Sequence, residues 1–112
     1  MARLDPRAIG ELRELMGEDF DSLLDSFQAD SQVQIDAIAD AVSQTDADRV
    51  RRQAHGLKGA CINLGANDLA ELCGRIEDLG RAGDCATART LVAALHTEFA
   101  GLRAALAGLN RA

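Results

Sequence analysis

Hydrophobic positions along the chain recur at three- and four-residue steps in five segments, as expected of helices that each present one apolar stripe. In the first, Ile9, Leu12 and Met16 follow Asp5 and Pro6, an N-cap and a first-turn proline, and Gly17 is a natural stop. From Asp19 onward Phe20, Leu24, Phe27, Ile35, Ile38 and Val42 keep the rhythm, with Ser31 filling its gap. No glycine or proline interrupts residues 18–44, which predicts one long helix. "SQTDAD" breaks it, and Thr45 with Asp48 offers a capping-box-like restart. Val50, Ala54, Leu57, Cys61 and Leu64 then mark a third helix, ended by Gly65. Asn67 or Asp68 is expected to cap a fourth, with the stripe Leu69, Leu72, Cys73, Ile76 and Gly80. "GRAGD" turns the chain, and Asp84 caps a fifth helix through Ala88, Leu91, Leu95, Phe99, Leu102, Leu106 and Leu109. Four substantial helices with short connections predict an all-α fold, an antiparallel up-and-down four-helix bundle. The short additional N-terminal helix lies across one end.

Composition narrows the class. The chain has 112 residues, 47% of them apolar, enough for the core of one domain, and it shows no linker or low-complexity tract. A single domain spanning 1–112 is therefore expected. One proline and three aromatic residues, all phenylalanine, argue against an all-β fold. The net charge of −6 and the lack of stacking aromatics disfavour a nucleic-acid partner. No run of 18 apolar residues suits a membrane-spanning helix, and "MARLDPRAIGEL" lacks the apolar core of a secretory signal. Cys61, Cys73 and Cys85 are odd in number and lack disulfide-framework spacing. The first two fall on apolar stripes, so reduced, packed thiols in a cytoplasmic protein are expected. Cys85 stands near a helix start, where a thiol pKa falls, but nothing pairs with it. His96 reads as an ordinary histidine. With two histidines, no Glu-x-x-His pair and no Cys-x-x-Cys, no metal site is expected.

The third helix carries the candidate chemistry. It accepts glycine at 56 and 59, each costing about 1 kcal/mol relative to alanine, with His55 beside the first. At about 100° per residue, its apolar stripe clusters within about 40° of one direction. On the same geometry His55 points about 140° away from it, Ile62 about 120°, Gly59 about 180° and Lys58 about 80°. Arg51 and Arg52 lie one turn earlier. The histidine is thus outside the core, with cations above and below, bare backbone beside it and one apolar residue nearby. An imidazole with an unperturbed pKa of about 6.5 is a nucleophile near neutral pH. A phosphoryl group accepted there brings a charge of about −2, which needs nearby cations that do not block access. Lys58 at i+3 supplies a flexible point charge. Gly59 at i+4 removes the side chain that would stand over the reacting nitrogen, and Gly56 serves close approach as well. Singly, each feature has a plain structural reading: surface histidine, helix-packing glycine, solvated cation. Their conjunction on one exposed side points to the site.

"AHGLKGACINLGANDLAELCGRIED" resembles the signature of histidine-containing phosphotransfer (HPt) domains, carriers in bacterial two-component phosphorelays. The resemblance rests on His55, Leu57, Lys58 and Gly59, "LGA" at 64–66 and "LAELCGRIE" at 69–77, and extends loosely back through "FDSLLDSFQADSQVQIDAIADAV". It implies that His55 is the phosphoacceptor, reacting at Nε2, that Lys58 steadies the phosphoryl group and that Gly59 gives the partner room. Glu77 falls where several members carry a glutamine near the imidazole; a carboxylate there can accept the Nδ1 proton and orient the ring. Arg81 matches an arginine of some members and also suits a pair with Glu77 at i, i+4.

The implied reaction moves a phosphoryl group from an aspartate of one receiver domain to His55 and on to an aspartate of another. The implied partners are response-regulator receiver domains and hybrid sensor kinases, with Mg²⁺ expected only in the receiver and no cofactor in this chain. The protein is then a carrier rather than an enzyme, since no nucleotide-binding loop is present, and a monomer is expected. Docking is expected on the wet side of the third helix, at Ile62 and Gly56, with help from the first helix. Two alternatives stay open: a helical interaction module without transfer, and the phosphoacceptor domain of a hybrid or chemotaxis-type kinase. A start at Met1 and an end soon after the last helix favour a free-standing carrier over the latter.

Overall fold

Each apolar stripe becomes one helix in the computed structural model, which describes residues 4–110. The elements are α1 (Pro6–Met16), a one-turn 3-10 segment (Gly17–Asp19), α2 (Phe20–Ser43), α3 (Ala47–Leu64), α4 (Asn67–Arg81) and α5 (Cys85–Asn110). The last four form the bundle. α3 packs most extensively on α4, and α2 and α5 close the ring by packing on each other and on α3 and α4 respectively. The expected single domain runs at both ends into residues outside the described range.

The stripes meet in one core. Leu24, Ile35 and Ile38 of α2, Leu57 of α3, Ile76 of α4 and Leu95 of α5 are fully buried. Burying side chains of this size contributes about 1.5–3 kcal/mol each. Ser31 is buried as the stripe required. Cys61 and Cys73 are buried and unpaired, and contact with Cys73 together with burial pushes the Cys61 thiol far above its ordinary range. Cys85 is also buried, so its place at a helix start does not present a reactive thiol to solvent.

The helix starts follow local chemistry, with two corrections. Asp5 accepts from the Arg7 N–H and Asp84 from the Thr87 N–H, as expected of caps. At α3, however, the cap is Asp46, whose carboxylate accepts from the Arg49 N–H, and no Thr45–Asp48 box forms. Thr45 instead takes a positive φ of 57° to turn the chain, while Asp48 binds arginines of its own helix. At α4 neither Asn67 nor Asp68 caps: the position belongs to Ala66, which has no side-chain bond to give. The connection between α3 and α4 is only Gly65 and Ala66, so the helix begins before a capping side chain can intervene.

Two glycines fix how elements approach. Gly65 takes φ +80°, its carbonyl accepts from the Asp5 N–H at 2.8 Å, and a Cβ there would stand 2.7 Å from the Ala8 Cβ. This pins the start of α1 to the α3–α4 connection. A Cβ on Gly80 would stand 2.7 Å from the Arg51 N and 2.9 Å from the Ala47 O, so α4 runs against the backbone of α3 there. Among the described residues the only buried charged side chain is Glu77, one turn before that contact.

Candidate functional site

His55 sits on the solvent side of α3, between the buried Ala54 and Leu57, with its side chain 67% exposed. Its Nδ1 lies 3.0 Å from Oε2 of Glu77, which reaches across from α4. The same carboxylate takes the Lys58 Nζ at 2.6 Å on Oε1 and donates no proton in return, while Arg81 Nη2 donates to Oε2 at 3.0 Å. With its side chain only 5% exposed, Glu77 would be costly to bury as an anion without such partners. The Lys58 ammonium, and with it His55, holds the Glu77 carboxyl below its usual range, against burial, which pushes the other way.

An ionised Glu77 decides the state of the ring. A carboxylate only accepts hydrogen bonds, so Nδ1 carries a proton, and in a neutral ring it is the only nitrogen that does. Nε2 is left with its lone pair on the exposed side. Glu77, where the sequence places a carboxylate in the position of the family's glutamine, is thus the hub that joins His55, Lys58 and Arg81.

The surroundings divide into two flanks. On the α4 side the Lys58 stem passes over Gly74, whose absent Cβ would lie 3.5 Å from the lysine Cδ. Sequence reading missed Gly74; its one signal is a glycine three residues before Glu77 inside a helix. On the open side a Cβ at Gly59 would meet nothing within 4 Å, so the space above α3 is clear there. Ile62 is 56% exposed. Arg51 and Arg52 are not brought to the histidine: both pair with Asp48, at 3.1 and 3.0 Å. The first turn of α3 places that carboxylate within reach at i+3 and i+4, and it draws the guanidiniums away.

The neighbour found beside Gly56 within the chain is on α2. The Gln34 carboxamide of α2 lies over it, with Oε1 3.7 Å and Nε2 3.9 Å from where a Cβ would stand. Beyond Gln34 opens a groove of about 510 Å³ between α1, α2 and α3, walled by Leu12, Met16, Phe27, Leu64 and Asn63 among others. The three exposed large hydrophobics of the described residues, Leu15, Val33 and Ile62, belong to these same three helices. Among the described residues no helix is long and apolar enough to cross a membrane, and no three His, Cys, Asp or Glu residues are grouped to hold a metal ion.

The sequence profile of the Hpt domain matches residues 22–105. Among solved structures the chain is similar to histidine-containing phosphotransfer protein B (HptB) from Pseudomonas aeruginosa PAO1, with a TM-score of 0.93 and 32% identity. The alignment covers 96% of this chain and 94% of that one. A comparison with curated proteins returns no significant match.

Proposed function

The chain belongs to the Hpt domain family, and from that premise we propose that it carries a phosphoryl group on His55 between aspartates of receiver domains in a phosphorelay. The observation that carries this reading is the exposed imidazole whose Nδ1 is tied to Glu77. The Nε2 lone pair attacks the phosphorus of an aspartyl phosphate. The N–P bond forms as the bond from phosphorus to the aspartate oxygen breaks, and the aspartate leaves as a carboxylate. The proton on Nδ1 stays in its hydrogen bond to Glu77, whose negative charge balances the positive charge that develops on the ring. Lys58 lies one turn on and supplies the cation for the arriving phosphoryl oxygens. The reverse steps discharge the group onto a second receiver.

In this reading the receiver provides the acidic pocket and Mg²⁺, and this chain provides nucleophile, orientation and charge balance, so it acts as a carrier without a cofactor of its own. Response-regulator receivers and hybrid sensor kinases are the partners, met one at a time by a monomer in the cytoplasm. The clear space over Gly59 and the exposed Ile62 support docking on α3. Arg81 acts through Glu77, and Arg51 and Arg52 belong to the docking rim rather than to the reacting group. Incubation with receivers charged by acetyl phosphate should place an acid-labile, base-stable label on His55. His55→Gln should abolish labelling and leave the thermal midpoint nearly unchanged. Labelling that survives the substitution would refute the assignment.

A further inference from the structure

The edge of the bundle opposite the histidine carries a surface with no part in phosphoryl transfer. His55 and Glu77 face each other across α3 and α4, and in the ring of helices the opposite edge is the one where α2 packs on α5. A groove of about 510 Å³, within the size range of ligand sites, lies there between Ala39 and Val42 of α2 and Val92 and Ala93 of α5. Arg89 and His96 border it and are exposed. Neither has a partner among the described residues. Such freedom is rare in this chain: of the other described arginines and the lysine, all but Arg75 meet a carboxylate or a phenylalanine ring. Along α5 the stripe over the groove reads basic, apolar, apolar, basic at 89, 92, 93 and 96. A spacing of seven returns the two basic groups to one face, about 10 Å apart along the helix axis.

We propose that this groove docks an acidic amphipathic helix of a partner protein, whose carboxylates, seven residues apart, meet Arg89 and His96 while the apolar side chains between them fill the space against Val42 and Val92. A purely apolar occupant would strip water from the Arg89 guanidinium and offer nothing in return, so the occupant must bring acceptors. A nucleic-acid backbone brings acceptors but would set its charges against the apolar walls between the two basic groups. A carboxylate suits both, since a guanidinium donates to it bidentately and an imidazole donates through a ring N–H in either protonation state. Alanine at 39 and 93 keeps the walls low, which lets a partner's helix come close. The net charge of −6 turns acidic partners away from most of the surface, so the two unpaired basic groups mark where one can settle. The groove's walls come from α2 and α5 alone, and a partner held there leaves His55 open.

The test selects from a displayed library of helical peptides on the full chain, with the Ala93→Arg variant in excess as competitor so that only binders of this groove are kept. Ala93 is exposed, and the thermal midpoint of the variant should match that of the original chain. The retained peptides should carry Asp or Glu at a spacing of seven with apolar residues between, and should shift the methyl resonances of Val42 and Val92. Arg89→Ser and His96→Gln should each weaken their binding roughly tenfold, the effect of one lost charge-assisted hydrogen bond, and added salt should weaken it further. Labelling of His55 by phosphoramidate, a small donor that needs no docking, should be unchanged with a peptide bound. Failure of any peptide to survive the competition would overturn the proposal, as would survivors without acidic residues or indifferent to Arg89→Ser. A peptide that blocks labelling would place the binding at the histidine instead. A dimer of the chain by sedimentation that Ala93→Arg dissolves would give the groove to a second copy and equally refute the acidic partner.

Discussion

At Gly59 the access proposed for a partner comes at the expense of the residue's own helix. Nothing lies within 4 Å of the position a Cβ would take, so Gly59→Ala meets no steric obstacle and recovers about 1 kcal/mol of helix propensity. The expected outcome is a higher thermal midpoint together with slower transfer from a receiver, and labelling by phosphoramidate unaffected. A variant that is more stable and transfers at the original rate would leave the glycine without a role in access. Glu77 permits a second prediction at this scale. Its carboxylate is what holds the proton on Nδ1. Glu77→Ala should therefore move the neutral ring toward the Nε2–H tautomer, read from the ¹⁵N shifts of His55, and slow phosphoryl acceptance in parallel. The trio His55, Lys58 and Gly59 was legible in sequence because it shares one helix, where spacing fixes direction. The Glu77 hub was only half legible, since a contact across helices depends on how α3 and α4 pack, and the stem of Lys58 over Gly74 gave no signal until that packing was seen.

Helix periodicity recovered all five elements, while their starts proved harder to read. A stripe is written over many residues, so an error at one leaves the pattern intact. A cap depends on the φ and ψ of a single residue, and Thr45 takes a left-handed conformation that its β-branched side chain gave no reason to expect. Glycines within α4 were equally mute about their purposes, which the structure separates. At Gly80 an added Cβ would press on the α3 backbone at 2.7 Å, with no flexible side chain to yield. Gly80→Ala should cost about 1–3 kcal/mol, as expected of overpacking, and should loosen the coupling of His55 to Glu77 one turn away. Gly74→Ala, facing only the lysine stem at 3.5 Å, should be neutral or stabilising by up to about 1 kcal/mol. Chemical denaturation of the two variants checks the contrast. Equal effects would mean that the closeness of α3 and α4 is not set at Gly80.

Over the whole molecule the site and the fold share one carboxylate, which ties stability to pH. Glu77 is the sole buried charge among the described residues and joins α3 to α4 through His55 and Lys58. Its carboxyl is held below the ordinary value of 4.5, chiefly by Lys58, so it binds its proton less readily folded than unfolded. The stability this confers is fully present above about pH 4.5 and is lost as pH falls through the lower value in the folded state. Asp48 and Asp84, whose carboxyls are lowered by arginines and by a cap respectively, add smaller exposed contributions in the same direction. Urea melts should therefore show a stability plateau from neutrality to about pH 5 and a decline below it. In Glu77→Gln the plateau should start lower, because an amide cannot attract Lys58 and Arg81 as a carboxylate does, and the acid decline should be shallower. A decline as steep in the variant as in the original chain would move the acid sensitivity elsewhere and leave Glu77 as a partner of the histidine alone. If the shallower profile is found, the group that orients the nucleophile also fastens the two helices that carry it, and neither role can be removed without weakening the other.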